Sequence, residues 1–445
     1  MTLFVTVPAL LTVLLQVPTP AQPSAPDVVA QAQTVLARIA AGEFASVEER
    51  FTDEMKAAMP PGRLAELWKS LVNQVGAHKS CDPKPRVVAI GDKQMVITAC
   101  QFERAKIDIQ FAFDGVGRIS GMAMRPAAAA TVAYALPPYA TPSSYTETAM
   151  TVGSGEWALP ATLTLPVGTT PLPAIILVHG AGPNDRDETI GANKPFKDLA
   201  VGLASRGIAV LRYDKRSKVH GAKLAAFTDF TVKQEVVDDV LEAVKALRAD
   251  RRIDAARVFV LGHSLGGMLV PRIAAADPSL PGFIVLAGAA RPLEEAIAAQ
   301  TRYMAAADGT ISPDEQKGID QATALRESVR ALAPADASSG RMISGAPASY
   351  WLDLRGYDPP SAAKQVKGRM LILQGERDYQ VTVEEFGRWK AALGSRHDVT
   401  FRSYPALNHL FIAGTGPSLP TEYLTPGHVA EEVIRDIATW VTAPR

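Results

Sequence analysis

The stretch Val258-Phe259-Val260-Leu261-Gly262-His263-Ser264-Leu265-Gly266-Gly267-Met268 constrains the fold more than any other part of the chain. An apolar, strand-forming run stops at Gly262 and a helix-compatible pattern begins past Ser264, so the serine sits on a strand-to-helix turn. Such a turn strains the serine backbone and brings the residues two before and two after it into close approach. Glycine fits both places because it has no Cβ. The geometry lifts the hydroxyl out of the sheet and leaves the Leu265 amide at a helix N-terminus, where partial positive charge gathers. Gly-x-Ser-x-Gly alone also describes an ordinary tight turn. The strand before it and the helix after it make Ser264 a candidate nucleophile.

Around this turn, from about residue 147 onward, strands alternate with helices. Thr148–Val152 and Ala158–Leu165 read as an antiparallel pair, with Gly153 and Gly155 in the turn. Ala174–Val178, Ile208–Leu211, Val258–Leu261, Phe283–Leu286 and Met370–Leu373 are unbroken apolar runs, the mark of strands covered on both faces. Between them, Pro195–Arg206 reads as a helix closed by Gly207. Thr231 with Gln234 signals a helix start, followed by an apolar stripe of Val236, Val237, Val240, Leu241, Val244 and Leu247. The expected class is α/β, a mostly parallel sheet flanked by helices.

Four motifs follow strands in order: His179-Gly180-Ala181-Gly182, Gly262-His263-Ser264-Leu265-Gly266, Gly375-Glu376-Arg377-Asp378, and Asn408-His409 after Val399–Tyr404. In this half the chain resembles the α/β-hydrolase superfamily, exported serine esterases in particular, and is also similar to prolyl-oligopeptidase-like catalytic domains. The order Ser, Asp, His is the one that superfamily uses. The resemblance implies a catalytic domain over residues 147–445 with a helical lid insertion at about 289–367, where Leu293–Ala306, Ser312–Leu332 and the pair Tyr350-Trp351 would cover the serine.

The chemistry needs each of these residue types. A serine hydroxyl attacks only as its proton is removed, so a histidine must reach Ser264, and His409 is the choice. His179 belongs to a different loop, His263 is inside the turn and expected to face away from Ser264, His78 lies far upstream, and His220, His397 and His428 lack a preceding acid and the place after the last strand. Asp378 would accept the other ring proton, with Glu376 as the rival acid. The amides of Leu265 and Ala181 would form the oxyanion hole. The charged run Pro183–Glu188 is expected to fix its own loop through salt bridges with Lys215 and Arg216. The expected reaction is hydrolysis of a small-molecule carboxylic ester through an acyl-enzyme. Cleavage of a peptide or amide by the same residues is the alternative, and a non-catalytic binding protein on the same scaffold is a third.

The rest of the chain sets the context. The apolar run Met1–Val17 is too short to span a bilayer comfortably and is followed by the Pro-rich Pro18–Pro26, so residues 1–21 read as a signal peptide; an uncleaved anchor or a misassigned start is the competing reading, because no Lys or Arg precedes the run. An exported, periplasmic or extracellular protein with no stable membrane insertion after cleavage is expected. Residues 27–126 carry helical spacing at Asp27–Ala41 and Arg63–Val75, then strand-like runs, which predicts a small α+β domain. Its element order resembles cystatin-like or nuclear-transport-factor-like domains. Cys81 and Cys100 fall inside it, and both a disulfide and two buried thiols fit. Residues 127–146, rich in Ala, Pro and Thr, read as a linker.

Lys+Arg 46 against Asp+Glu 46 gives zero formal charge and no electrostatic case for a nucleic-acid partner. The scattered histidines, the lack of His-Glu-x-x-His and the lack of a Lys-Ser/Thr after Gly180 predict no metal, no phosphate-cradling loop and no cofactor.

Overall fold

The computed structural model describes residues 27–90, 93–103, 105–126, 134–168, 171–224, 226–307 and 309–444. The leader expected at 1–21 lies outside them. The chain divides into two compact units, Met1–Ala130 and Thr131–Arg445.

The larger unit is built on an eight-stranded sheet. Its strands are β1 (Tyr145–Val152), β2 (Leu159–Pro166), β3 (Leu172–Val178), β4 (Ala209–Tyr213), β5 (Ile253–His263), β6 (Gly282–Leu286), β7 (Arg369–Gly375) and β8 (Val399–Tyr404). In space they run β1-β2-β4-β3-β5-β6-β7-β8. The β1–β2 and β2–β4 pairings are antiparallel and the rest are parallel.

Every residue of β3, β4 and β6 is buried, which explains why these strands read as continuous apolar runs without alternation. One face packs against α2 (Asp238–Ala249) through Val240, Val244 and Leu247 and against α3 (Leu265–Ala276) through Met268, Leu269 and Ile273. The other face is covered by α1 (Pro195–Ala204) and α5 (Glu431–Thr442), with Phe196, Leu199, Leu203, Ile434 and Ile437 in one cluster.

Two details depart from the sequence reading. Ahead of α2 the chain makes a π-turn over Lys233–Val237, although Gln234 does accept from the Thr231 amide at 2.9 Å as a capping side chain would. Residues 134–144 are no plain linker either. The Tyr134 hydroxyl donates to Asp198 Oδ1 at 2.6 Å and the Tyr139 hydroxyl to the Val429 carbonyl at 2.7 Å, so two half-buried phenol rings tie this segment to α1 and the approach to α5.

The segment between β6 and β7 holds helices Leu293–Ala305, Pro313–Arg330 and Ala348–Leu354, gathered around Val329, Leu332, Ile343, Ala348 and Trp351. Ser312 and Glu315 cap the second helix reciprocally, which fixes where it begins.

The smaller unit sets a helix at Val28–Ala40, with Ala32, Val35, Leu36 and Ile39 buried, against a five-stranded sheet. One of its strands, His78–Cys81, lacks any apolar alternation and was not foreseen. It exists because it pairs antiparallel with Lys93–Phe102, where Cys81 lies opposite Cys100. The two cysteines are joined by a disulfide. Among the described residues no helix is long and apolar enough to cross a membrane.

Candidate active site

Parallel strands place their C-terminal ends along one edge, and the loops leaving that edge bring the four motifs together. At the end of β5 the chain turns through Ser264 at φ 53° and ψ −114°, a conformation L-residues rarely adopt, before α3 begins at Leu265. The turn is held on both sides. The Ser264 amide donates to the Leu286 carbonyl at 3.0 Å and the Ser264 carbonyl accepts from the Met268 amide at 2.9 Å. A Cβ on Gly180 would meet Ser264 Cβ at 3.2 Å, so the loop after β3 lies directly against the serine. The amides of Ala181 and Leu265 donate to no acceptor among the described residues.

Asp378 and His409 are both buried, and His409 Nδ1 stands 2.7 Å from Asp378 Oδ2. Asp378 is fixed by more than this contact. Its Oδ1 accepts from the amides of Gln380 at 2.7 Å and Val381 at 2.9 Å, and Oδ2 also accepts from Gln374 Nε2 at 3.2 Å. Gln374 is itself anchored on the Val381 carbonyl at 2.7 Å. A carboxylate so fully bonded is held in one rotamer, and it fixes the imidazole tautomer with Nδ1 protonated and Nε2 basic. Glu376, the rival acid, is exposed and accepts from Ser403 Oγ at 2.7 Å.

The loop carrying His409 is shaped by Asn408, whose Oδ1 accepts from the amides of Leu410 at 3.0 Å and Ile412 at 3.2 Å. Ser264 and His409 are not hydrogen-bonded to one another; the tie between their segments runs through His263, whose Nε2 lies 3.0 Å from the His409 carbonyl oxygen. His263 thus packs beside His409. Its ring lies 4.7 Å from that of His409.

The charged loop after β3 is fixed by ion pairs, but with different partners from those expected. Arg186 pairs with Asp214 at 2.8 Å, and Asp187 pairs with Lys194 at 3.0 Å and with the buried Arg212. Lys215 and Arg216 turn instead to acids of the π-turn and α2, Glu235 at 3.4 Å and Asp239. The reason is direction: both cations follow β4 and face the helix that crosses behind it. Lys215 still reaches the loop, donating to the Gly180 carbonyl at 2.9 Å.

His179 is buried between Phe196 and Tyr213, at ring distances of 5.1 and 5.2 Å, with only a loose approach to the Asp185 backbone and no well-formed hydrogen bond on either nitrogen. Burial pushes its pKa down to about 4 from an ordinary 6.5. Between those two values the unfolded chain binds a proton that the folded chain refuses, so stability rises with pH across the window and falls on acidification from 6.5 towards 4. The expected contribution is about 3 kcal/mol. Urea titrations of the wild type and His179→Phe at pH 4.5 and 7 measure it. The variant should lose less stability on acidification than the wild type, and equal losses would remove His179 from the account.

Residues 170–414 match the family described as serine aminopeptidase, S33 (Hydrolase_4). Esterase EstD of Thermotoga maritima is 38% identical over 398 residues, which cover 89% of this chain and 91% of that protein. The chain belongs to this family. It is a serine hydrolase of the α/β-hydrolase superfamily, and residues 32–122 match a further family described only as a protein of unknown function, DUF3887. Among solved structures, Est1E from Butyrivibrio proteoclasticus aligns at 18% identity and TM-score 0.42, covering 66% of this chain and 98% of that one. A Mycobacterium tuberculosis puromycin-hydrolyzing peptidase aligns at 16% identity and TM-score 0.43, covering 82% and 48%.

Sequence reading missed two supports of the site. Gln374, next to last in β7, looked like one more strand residue, and Glu188 looked like one of several loop acids. Only the fold shows that Glu188 is buried, at φ 50°, with Oε1 accepting from the Gly180 amide at 2.7 Å.

Proposed function

We propose that the protein hydrolyses small-molecule carboxylic esters through an acyl-enzyme on Ser264. The observation that carries this is the buried, fully bonded Asp378–His409 pair at the sheet edge that also bears the strained Ser264 turn. His409 Nε2 takes the serine proton as Oγ attacks the carbonyl carbon. The same proton then goes to the leaving alcohol, and water activated by His409 releases the acid. The amides of Leu265, at the start of α3, and Ala181 stabilise the oxyanion. The Ser264–His409 hydrogen bond forms when substrate seats, a tightening common between resting and loaded sites.

The ester reading is favoured over the amide reading by similarity to esterase EstD across 89% of the chain. The family description as a serine aminopeptidase keeps peptides as the second reading. Short p-nitrophenyl esters and aminoacyl p-nitroanilides, assayed side by side on the full chain, separate the two. Ester kcat/KM should exceed anilide kcat/KM by at least a hundredfold, and the reverse order would assign the protein to the peptidases.

The insertion between β6 and β7 is proposed as the lid. Gln300 donates to the Gln380 carbonyl at 3.1 Å and the Tyr303 ring stacks on Tyr379 at 5.2 Å, which brings its first helix to the loop that holds Asp378. A cavity of about 480 Å³ lined by Ala290, Tyr357, Lys364 and Arg388 includes none of the three catalytic candidates and is not proposed as the substrate site. Export from the cytoplasm is proposed as well, supported by the Cys81–Cys100 disulfide, which persists in oxidising compartments.

A further inference from the structure

Behind the serine lies a second carboxylate–histidine pair that the mechanism above does not use. Glu188 and His263 are both buried, and His263 Nδ1 lies 2.9 Å from Glu188 Oε2. The contact is an ion pair set off the line of an ideal hydrogen bond. The other ring nitrogen of His263 faces the His409 carbonyl oxygen at 3.0 Å. The other oxygen of Glu188 accepts the Gly180 amide at 2.7 Å. One carboxylate and one imidazole therefore link three loops: that of Ala181, that of Ser264 and that of His409.

The proton count follows from the acceptors. A carbonyl oxygen only accepts, and an ionised carboxylate only accepts, so both His263 nitrogens must carry protons. An unprotonated Nδ1 would set its lone pair against a carboxylate oxygen in a buried site. Burial by itself would strip the proton, but the charge of Glu188, with its side-chain contact and the His409 carbonyl, outweighs burial and holds His263 above the ordinary histidine range. Glu188 is held below the ordinary carboxylate range despite its burial by His263, by His179 and by the Gly180 amide. The charged and titratable groups around the pair are Glu188 and His179 from the loop after β3, His409 from the loop after β8, and Asp378 from the loop after β7. Lys215, after β4, reaches the carbonyl side of the same Gly180.

The cost of this arrangement argues that it has a use. Glu188 combines full burial of a charge with a left-handed backbone at φ 50°. A loop that needed only to be closed has the half-buried pairs of Arg186 and Asp187 to close it.

We propose that Glu188 and His263 are positioning residues, a buried carboxylate–imidazolium pair that sets the Gly180–Ala181 peptide and the His409 backbone in register about Ser264. This rests on the reading of Ser264 and His409 as the reacting groups. Gly180 is gripped at its amide by Glu188 and at its carbonyl by Lys215, so the next amide along, that of Ala181, has little freedom to rotate. His263 pulls on the backbone of His409 while Asp378 fixes its ring. Backbone and side chain of the base are thus located independently.

Two measurements on the full chain test this. In nitrogen-15 NMR of labelled histidine rings, one histidine should keep both nitrogens protonated above the pH at which an ordinary histidine has lost one, and that signal should vanish in His263→Asn and in Glu188→Gln. A His263 singly protonated at pH 7 overturns the pair. In ester turnover, Glu188→Ala should lower kcat about a hundredfold with KM changed by less than about threefold, the size of effect that losing one oxyanion donor has elsewhere. Glu188→Gln should recover to within about tenfold of wild type. Its carbonyl can accept from Gly180 and its amide can donate to Nδ1 of a neutral His263, whose Nε2 proton still reaches His409.

A wild-type kcat in Glu188→Ala overturns the positioning role. So does an equal loss in Glu188→Gln when that variant is folded, because the effect would then belong to charge. Should Glu188→Ala fail to fold, the glutamine variant and the NMR signal decide. If Ser264→Ala stays active, the esterase mechanism falls, while the doubly protonated His263 remains measurable and is judged separately.

Discussion

Ser264→Ala should reduce turnover of short esters by about 10⁵-fold or more while leaving the thermal unfolding midpoint within a few degrees of wild type. The side chain lost is one oxygen at a half-buried site, and the turn is held by backbone bonds from Leu286 and Met268 that alanine keeps. The proposed chemistry, by contrast, loses the atom that would form the acyl bond. Asp378→Asn should be nearly as damaging, at about 10⁴-fold in kcat. An amide in that place presents either an N–H to the ring or a single oxygen that the Gln380 and Val381 amides already claim, so the imidazole is held in the wrong tautomer and its protonated form loses a counter-charge. Glu376→Gln is the control, because Glu376 is an exposed side chain bonded to Ser403. It should stay within about threefold of wild type. Activity should fall on acidification in the wild type, since protonated imidazole cannot take the serine proton. A Glu376→Gln variant that is dead beside an active Asp378→Asn would reassign the acid.

What the sequence made legible was whatever is local in the chain. Unbroken apolar runs identified strands covered on both faces, and glycines at the ends of three of them marked tight turns. Strand His78–Cys81 was invisible because its four residues acquire strand form from a partner and not from their own pattern. Glu188 was harder still. Six consecutive residues from Pro183 contain three other charges at half-buried places, and nothing in their order says that the last one alone turns fully inward. The direction of Lys215 and Arg216 was misread for a similar reason: two cations beside an acidic loop suggest mutual pairing, but the π-turn and α2 bring Glu235 and Asp239 closer. Long-range electrostatic partners depend on which elements cross, and crossings are not written in any short window.

Gly266→Ala should be among the most destructive single methyls in the described residues. An added Cβ at Gly266 would lie 2.3 Å from the Val178 carbonyl oxygen and 2.8 Å from that of His179, both backbone atoms at the end of β3. Neither can move without breaking the central β3–β5 pairing, in which Val178 lies opposite Gly262. Gly262 has no slack to offer, since its own Cβ would meet the Gly266 carbonyl at 2.2 Å. The methyl must therefore push α3 away from the sheet or tilt the turn that carries Ser264. A loss of about 3 kcal/mol or more of stability is expected, at the upper end of overpacking costs. The part of the population that folds should show kcat reduced at least a hundredfold, because the same displacement misaligns Ser264 and the Leu265 amide by a substantial fraction of an ångström. Gly387→Ala provides the comparison within the same chain. Gly387 lies on the exposed side of α4 (Val383–Leu393) with open space around its Cβ position, and alanine there should stabilise the helix by about 0.5–1 kcal/mol. Denaturant unfolding and ester kinetics on both variants decide the point: a Gly266→Ala protein as stable and as active as Gly387→Ala would mean that the turn does not have the tightness on which the proposed catalytic role of Ser264 depends.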